Sequence, residues 1–292
     1  MSIEPSPLDR AGELRDDPGL VSRLRGDATT RVVVVRDGRA RIDGDSLLRV
    51  APREVGDAEW ALLGRDPDGT AVLLAATTET ADSIDTAPDE TWLGVRDAGG
   101  RLGRGDSDLF IEGVALAAWL RDAPFCPACG SRTELRQSGW SRKCLRCGRE
   151  HFPRTDPAVI VAVESPDGSR LLLGANATWQ GRMHSCFAGF SEAGESLETT
   201  VHRELAEEAG VRLSALRYES SQAWPYPRSL MIGFRAVAAD EDVRADGEEI
   251  IDVRWLTRDE IGSALRGEGP VGLPGPASIA RALITSWYEE RA

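Results

Sequence analysis

The segment Ala158 to Val163 is apolar at every position, and after Pro166-Asp-Gly a second apolar run follows at Leu171 to Leu173. Short continuous apolar runs bounded by turn residues predict strands buried on both faces, joined here as a hairpin. Similar reasoning predicts strands at about Arg217 to Ala223, Leu230 to Val237 and Ile250 to Leu256, and a closing helix from Ser278 to about Glu290. Earlier, Thr30 to Val35 and Thr70 to Leu74 are β-like runs set between Asp/Gly/Pro clusters. Val114, Leu116, Ala117 and Leu120 form an apolar stripe on a helix expected over about Ile111 to Arg121, which Pro124 ends. The pattern is that of an α+β chain. It divides into a β-rich segment at 1–122, a cysteine-bearing module at 123–155 and a second domain at 156–292.

A chain of 292 residues has room for two or three such units. No stretch approaches the ~20 apolar residues of a membrane span, and Met1 to Arg25 is charged and mixed, without the apolar core of a secretory signal. A cytoplasmic protein without a membrane partner is expected. The formal charge of -13 opposes a general nucleic-acid-coating role, though a local basic patch can override the mean.

Four of the five cysteines form two pairs, Cys126/Cys129 and Cys144/Cys147, each followed directly by a glycine, Gly130 and Gly148. A Cys-x2-Cys turn converges two thiolates, and two such turns complete a tetrahedral Zn2+ site with zinc about 2.3 Å from each sulfur. Two disulfides are the competing reading, which a reducing cytoplasm opposes. Four thiolates leave no open position, so this zinc is structural. Cys186 stands apart and reads as a small buried hydrophobe. Between Cys126 and Arg154 lie Arg132, Arg136, Arg142, Lys143, Arg146, Arg149 and Arg154 against only Glu134 and Glu150. Such an excess is either a solvated surface or a contact for phosphates.

The chemistry concentrates in Gly189-Phe-Ser-Glu-Ala-Gly-Glu195 and the segment after it, Arg203-Glu-Leu-Ala-Glu-Glu-Ala-Gly210-Val211. Ser196 can cap a helix that Gly210 ends, and at 100° per residue Glu204, Glu207 and Glu208 share one face. Leu205, Ala206 and Ala209 are expected to anchor the other. Clustered carboxylates repel one another, which hard cations such as Mg2+ or Mn2+ relieve while also bridging phosphates.

These residues resemble the Nudix box: Gly189, Glu195, Arg203, Glu204, Leu205, Glu207, Glu208, Gly210 and Val211 match every defined position of G-x5-E-x7-R-E-U-x-E-E-x-G-U. The resemblance implies an α/β/α sandwich around a mixed sheet and hydrolysis of a nucleoside diphosphate derivative. Ser221-Gln-Ala-Trp-Pro-Tyr-Pro-Arg-Ser229 further resembles the S-Q-P-W-P-F-P-x-S array of the NADH pyrophosphatases, with Ala223 in place of the family proline and Tyr226 in place of its phenylalanine. Pro225 and Pro227 stiffen this loop, and Trp224 and Tyr226 offer rings on which a base can stack. The order of N-terminal domain, four-cysteine ribbon and Nudix domain is also that of the family.

By position, the family resemblance implies catalytic metals on Glu204, Glu208, the carbonyl of Ala188 and Glu249, with Glu248 the competing choice. It implies dinucleotide contacts at Phe152, Phe190, Trp224, Ser229, Met231 and Ala280. Arg203 is expected to orient Glu195 or Glu207, since arginine forks onto carboxylates. The expected reaction cuts NAD(H) into nicotinamide mononucleotide and AMP, with water activated by Glu207 or Glu208. NAD-capped RNA as a further substrate and a homodimer are also implied. Two rivals are a Nudix pyrophosphatase for another substrate such as ADP-ribose, which the Trp-Pro-Tyr-Pro loop opposes, and a nucleotide-sensing zinc-ribbon protein without activity, which the intact glutamates oppose.

Overall fold

The computed structural model describes residues 6–78, 91–98 and 100–290; the first five residues of the Met1 to Arg25 stretch therefore lie outside the described residues. Contacts divide the chain into two units, one of residues 2–154 with 225–228, the other of 155–224 with 229–292.

The first unit begins with α1 (Leu20–Gly26), β1 (Arg31–Arg36), β2 (Arg39–Asp43), β3 (Ser46–Leu47), β4 (Glu59–Arg65), β5 (Ala71–Thr77), β6 (Trp92–Gly94), α2 (Val95–Ala98) and α3 (Arg104–Asp122). Its sheet runs β3-β2-β1-β5-β4, with β6 on β2 and a parallel pairing of β1 with β5. Strand alternation sorts its side chains to two faces. Val33, Val35, Leu63 and Leu74 pack with Leu109, Phe110, Val114 and Leu120 of α3, whereas Val32, Leu62 and Leu73 pack with Leu20 of α1. Helix α3 starts seven residues before the expected Ile111. Its first turns are too polar to show a stripe, and tertiary contacts hold them: the Asp106 carboxylate accepts from Leu47 N–H at 2.8 Å and pairs with Arg49.

The ribbon forms a three-stranded sheet of β7 (Thr133–Arg136), β8 (Ser141–Cys144) and β9 (Glu150–His151). It docks on β4 and α3 by buried polar groups. The Trp140 indole N–H donates to Leu62 O at 2.6 Å, and the Arg142 guanidinium donates to Glu59 at 3.0 Å and Leu120 O at 2.7 Å. Gly139 permits this approach, because a Cβ there would lie 2.4 Å from the Ala61 Cβ.

The second unit comprises β10 (Asp156–Glu164), β11 (Arg170–Asn176), β12 (Phe187–Phe190), α4 (Leu197–Ala209), β13 (Leu213–Trp224), β14 (Ser229–Ala238), β15 (Ile250–Thr257), α5 (Arg258–Leu265) and α6 (Ile279–Glu289). The sheet order is β13-β14-β10-β11-β15, with β12 on β10; β10 and β14 are parallel and the remaining pairs antiparallel. Val159, Val161 and Val163 meet Val201 and Leu205 of α4, while Ile160 and Ala162 meet Ile261 of α5 and Leu283, Ile284 and Trp287 of α6. Helices on both sheet faces explain why β10 is apolar at consecutive positions. This is an α/β/α sandwich on a mixed sheet. Among the described residues, no helix is long and apolar enough to cross a membrane.

Candidate active site and zinc site

Helix α4 is bounded by its sequence. Ser196 Oγ accepts from Thr199 N–H at 3.2 Å, and Gly210 takes the left-handed conformation, φ 67°, that ends the helix. Val201, Leu205 and Ala209 bury one face. Ala206 is exposed, contrary to expectation: it stands 100° around the helix from Leu205, whereas Val201 lies four residues before Leu205 and shares its face.

Arg203 organises the acidic residues. Its Nε and Nη2 donate to Glu195 at 2.7 and 3.0 Å, Nη1 donates to Glu204 at 2.9 Å and Glu207 at 3.1 Å, and Nη2 also reaches Phe190 O at 3.0 Å. The guanidinium thus ties α4 to β12. The hydrogen bonds from Arg203, with help from Glu192 N–H and Thr200, hold the Glu195 carboxyl at about 2. Thr200 Oγ1, wholly buried, donates to Glu195 at 3.0 Å, a support the sequence reading did not single out.

Gly189 makes room for Glu204. A Cβ at this position would lie 1.9 Å from the Glu204 carboxyl carbon. Gly189→Ala is therefore expected to displace the flexible end of Glu204 without breaking the sheet, lowering kcat at least about tenfold with little change in melting temperature. Parallel turnover and thermal-unfolding measurements check this outcome. The neighbouring Ala188, paired with Ile160, belongs to the same strand.

Glu208 is 4% exposed and its Oε2 has no hydrogen-bond partner. Burial first, and then the charges of Glu249, Glu204, Asp246 and Glu207, push its carboxyl up to about 8. Burial also raises Glu204, against the opposing pull of Arg203. Glu249 follows a loop fixed by Asp246, whose Oδ1 accepts from Glu248, Glu249 and Ile250 N–H groups at 2.7, 3.0 and 3.0 Å. Asn176 Nδ2 lies 3.4 Å from Glu249 Oε1. Asp246 was not singled out from sequence, although Asp before Gly-Glu-Glu is a turn signature. Glu249, rather than Glu248, is the residue whose charge acts on both Glu208 and Glu204.

A buried carboxylate oxygen without a partner, beside two further carboxylates, fits a hard divalent cation. Among the described residues, the four ribbon cysteines form the one group of three or more ligand atoms all within 4.8 Å of one another, and the glutamates stand wider apart than such a group. Glu208 is raised above the usual carboxylate range, so the stability its neutral form contributes is full below about pH 4.5 and lost as pH rises through about 8. Added Mg2+ is expected to raise the melting temperature more at pH 9 than at pH 6, which pH-dependent thermal scans measure.

The expected dinucleotide contacts fall into different settings. Phe190 is 52% exposed and belongs to the second unit; Phe152 is 46% exposed and belongs to the first. Trp224 and Ser229 face each other at the ends of β13 and β14, and Met231 pairs with Ala158. Ala280 is buried in the α6 core, where its carbonyl lies 3.9 Å from Cys186 Sγ. Cys186 is itself buried, and burial pushes its thiol up to about 12, as suits an inert packing residue. Tyr226 has a contact that the sequence reading did not include. Residues 225–228 belong by their contacts to the first unit, where the Tyr226 hydroxyl accepts from Val95 N–H at 3.0 Å and the Arg96 guanidinium lies 4.8 Å from the ring centroid. The phenol that distinguishes it from the family phenylalanine is thus a structural tie. Tyr226→Phe is expected to cost about 1 kcal/mol in chemical denaturation and to leave kcat unchanged.

In the ribbon, Gly130 and Gly148, at φ 70° and 71°, close the two knuckles by donating to Cys126 O and Cys144 O. The sulfurs stand 3.7 Å apart for Cys126 and Cys147 and 3.5 Å apart for Cys129 and Cys144, near the ~3.8 Å edge of a tetrahedron with ~2.3 Å zinc–sulfur bonds. No cysteine of the chain is disulfide-bonded. His151 Nε2, unanticipated from sequence, sits 3.2 Å from Cys126 Sγ, placed to hydrogen-bond that thiolate.

Comparison with known families agrees with this anatomy. Residues 154–272 match the NUDIX domain, and residues 121–152 match the NADH pyrophosphatase zinc ribbon domain. The chain is similar to the NAD-capped RNA hydrolase NudC of Mycobacterium tuberculosis, at 39% identity over 298 residues, covering 96% of this chain and 92% of that protein. It is also similar to the human NAD-capped RNA hydrolase NUDT12, at 36% identity over 192 residues, covering 62% of this chain and 42% of that protein. The fold and site are those of a Nudix hydrolase. Within that class, the chain belongs to the family of zinc-ribbon NAD-capped RNA hydrolases.

Proposed function

We propose that this enzyme hydrolyses the diphosphate of NAD(H) to nicotinamide mononucleotide and AMP, and removes NAD caps from RNA. The observation that carries the reading is the buried, unpartnered Glu208 carboxylate beside Glu204 and Glu249, on a helix that Arg203 fastens to the Gly189 strand. Near-full-length similarity to a NAD-capped RNA hydrolase supports the substrate.

Glu204, Glu208, Glu249 and the Ala188 carbonyl would hold Mg2+ or Mn2+, which supply charge to neutralise a diphosphate and acidify water when bound. Arg203 fixes the rotamers of Glu195, Glu204 and Glu207, so these carboxylates are in place before substrate arrives. Glu207, 61% exposed and in reach of solvent, and Glu208 are the candidates to take the proton from the attacking water. Phe190 and Trp224 offer ring surface to the bases, with Ser229 in register with Trp224 and Met231 on the same sheet; the exposed Phe152 ring is a further candidate. The thiolate zinc site suits a reducing cytoplasm. The family resemblance of the Trp224 loop supports a homodimer, which sedimentation would measure.

Incubation of the purified protein with Mg2+ or Mn2+ and NADH, NAD+, ADP-ribose or NAD-capped RNA tests the reading. Release of nicotinamide mononucleotide is expected from NADH, NAD+ and the cap. A higher kcat/KM for ADP-ribose than for any of these would replace it with the ADP-ribose reading.

A further inference from the structure

Six of the ribbon's seven cations fall into two sets, and the seventh, Arg154, is exposed beyond β9. Arg142 is buried on Glu59 and Leu120 O, which removes it from the surface. Arg136 pairs with Glu134, and the exposed Lys143 stands in register with Glu134 and Glu150 on the neighbouring strands, so carboxylates flank it on both sides. At the zinc end, Arg132, Arg146 and Arg149 are exposed and make no ion pair among the described residues.

The same end exposes apolar surface. Phe125 is 51% exposed and Leu145 67% exposed. Phe125 bridges to Arg132 as a strand partner, with the guanidinium 5.3 Å from the ring centroid, and Leu145 N–H donates to Arg132 O at 3.3 Å. Phe125, Arg132 and Leu145 therefore form one patch across both knuckles, flanked by Arg146 and Arg149. The zinc–thiolate centre brings a formal counter-charge of about -2. Cys126 and Cys144 are each only 2% exposed whereas Cys147 is exposed, and the three guanidinium groups of Arg132, Arg146 and Arg149 outweigh that counter-charge.

We propose that this knuckle patch binds single-stranded RNA downstream of the NAD cap, a reading that rests on the proposed decapping activity. Guanidinium groups pair with backbone phosphates, and Phe125 with its guanidinium neighbour offers a stacking site that tolerates any base. The rest of this acidic chain repels a polyanion, so charge complementarity selects the patch.

The test uses the full-length zinc-loaded protein, an RNA of roughly 30 nucleotides with an NAD cap, the same RNA without the cap, and free NADH. In the triple variant Arg132→Gln, Arg146→Gln, Arg149→Gln, kcat/KM for NAD-RNA is expected to fall at least about fivefold at low salt, while NADH hydrolysis is unchanged. Between about 50 and 200 mM salt, the slope of log affinity for uncapped RNA is expected to shrink by about 2, the release of three single-strand contacts. Phe125→Ala with Arg132→Gln lies outside the Cys-x2-Cys loops and is expected to act in the same direction if the triple variant loses zinc. An unchanged RNA affinity in the zinc-loaded variants, or equal loss on NADH and NAD-RNA, overturns the proposal. An acidic peptide that competes for the patch while RNA does not would assign it to a protein partner and also overturn it. Patch-dependent binding of uncapped RNA by an enzyme that does not cleave NAD-RNA would sink the decapping reading alone.

Discussion

Glu208→Gln is expected to lower kcat by at least about 10^2-fold while leaving the fold and the zinc in place. The carboxylate is buried with an oxygen that has no protein partner, so the amide removes the charge a cation would need and little that the apo fold uses. Glu207→Gln is expected to cost a similar factor for a different reason, since Glu207 is largely exposed and held by Arg203 at 3.1 Å. The two variants separate on stability. Without metal, the wild type becomes less stable as pH rises through about 8, where Glu208 ionises; Glu208→Gln has no group to ionise and is expected to hold its melting temperature across that range. Steady-state kinetics and thermal scans in chelator measure both effects. Near-normal turnover in both variants would remove these glutamates from the chemistry.

Cys126→Ser is expected to release zinc and unfold the ribbon. Structural zinc in small modules contributes on the order of 10 kcal/mol or more of binding free energy, all of it coupled to folding. The ribbon is docked through the Trp140 bond to Leu62 O and the buried Arg142 pair with Glu59, so its loss should lower the melting temperature of the first unit by more than about 4–8 °C. Metal analysis and calorimetry measure this. A zinc-free variant with the parent's melting temperature would show that the ribbon is not structural.

The parts legible in the sequence are those set by local rules. Ser196 and Gly210 bound α4 through a side-chain cap and a left-handed residue. Gly130 and Gly148 close the knuckles in the same local way. The long apolar run of β10 announced burial on both faces because period two sends alternate residues to opposite helices. Matching every defined position of the Nudix box likewise identified α4 and its glutamates.

Other features depend on groups far apart in the chain, and no window of sequence contains them. Helix α3 extends through a polar start because Asp106 bonds Leu47, 59 residues away. Tyr226, read as a stacking ring from its neighbours, also ties the fold because its hydroxyl finds Val95 N–H, 131 residues away. Arg142, one of seven cations by composition, is withdrawn from the surface by Glu59. Glu208 shows the division most plainly. Sequence determined that it would be a carboxylate on the acidic side of a capped helix, because helical periodicity is local. Only the tertiary structure decided that it would be buried beside Glu249 and so hold its proton up to about 8, because desolvation depends on what the rest of the chain packs around it.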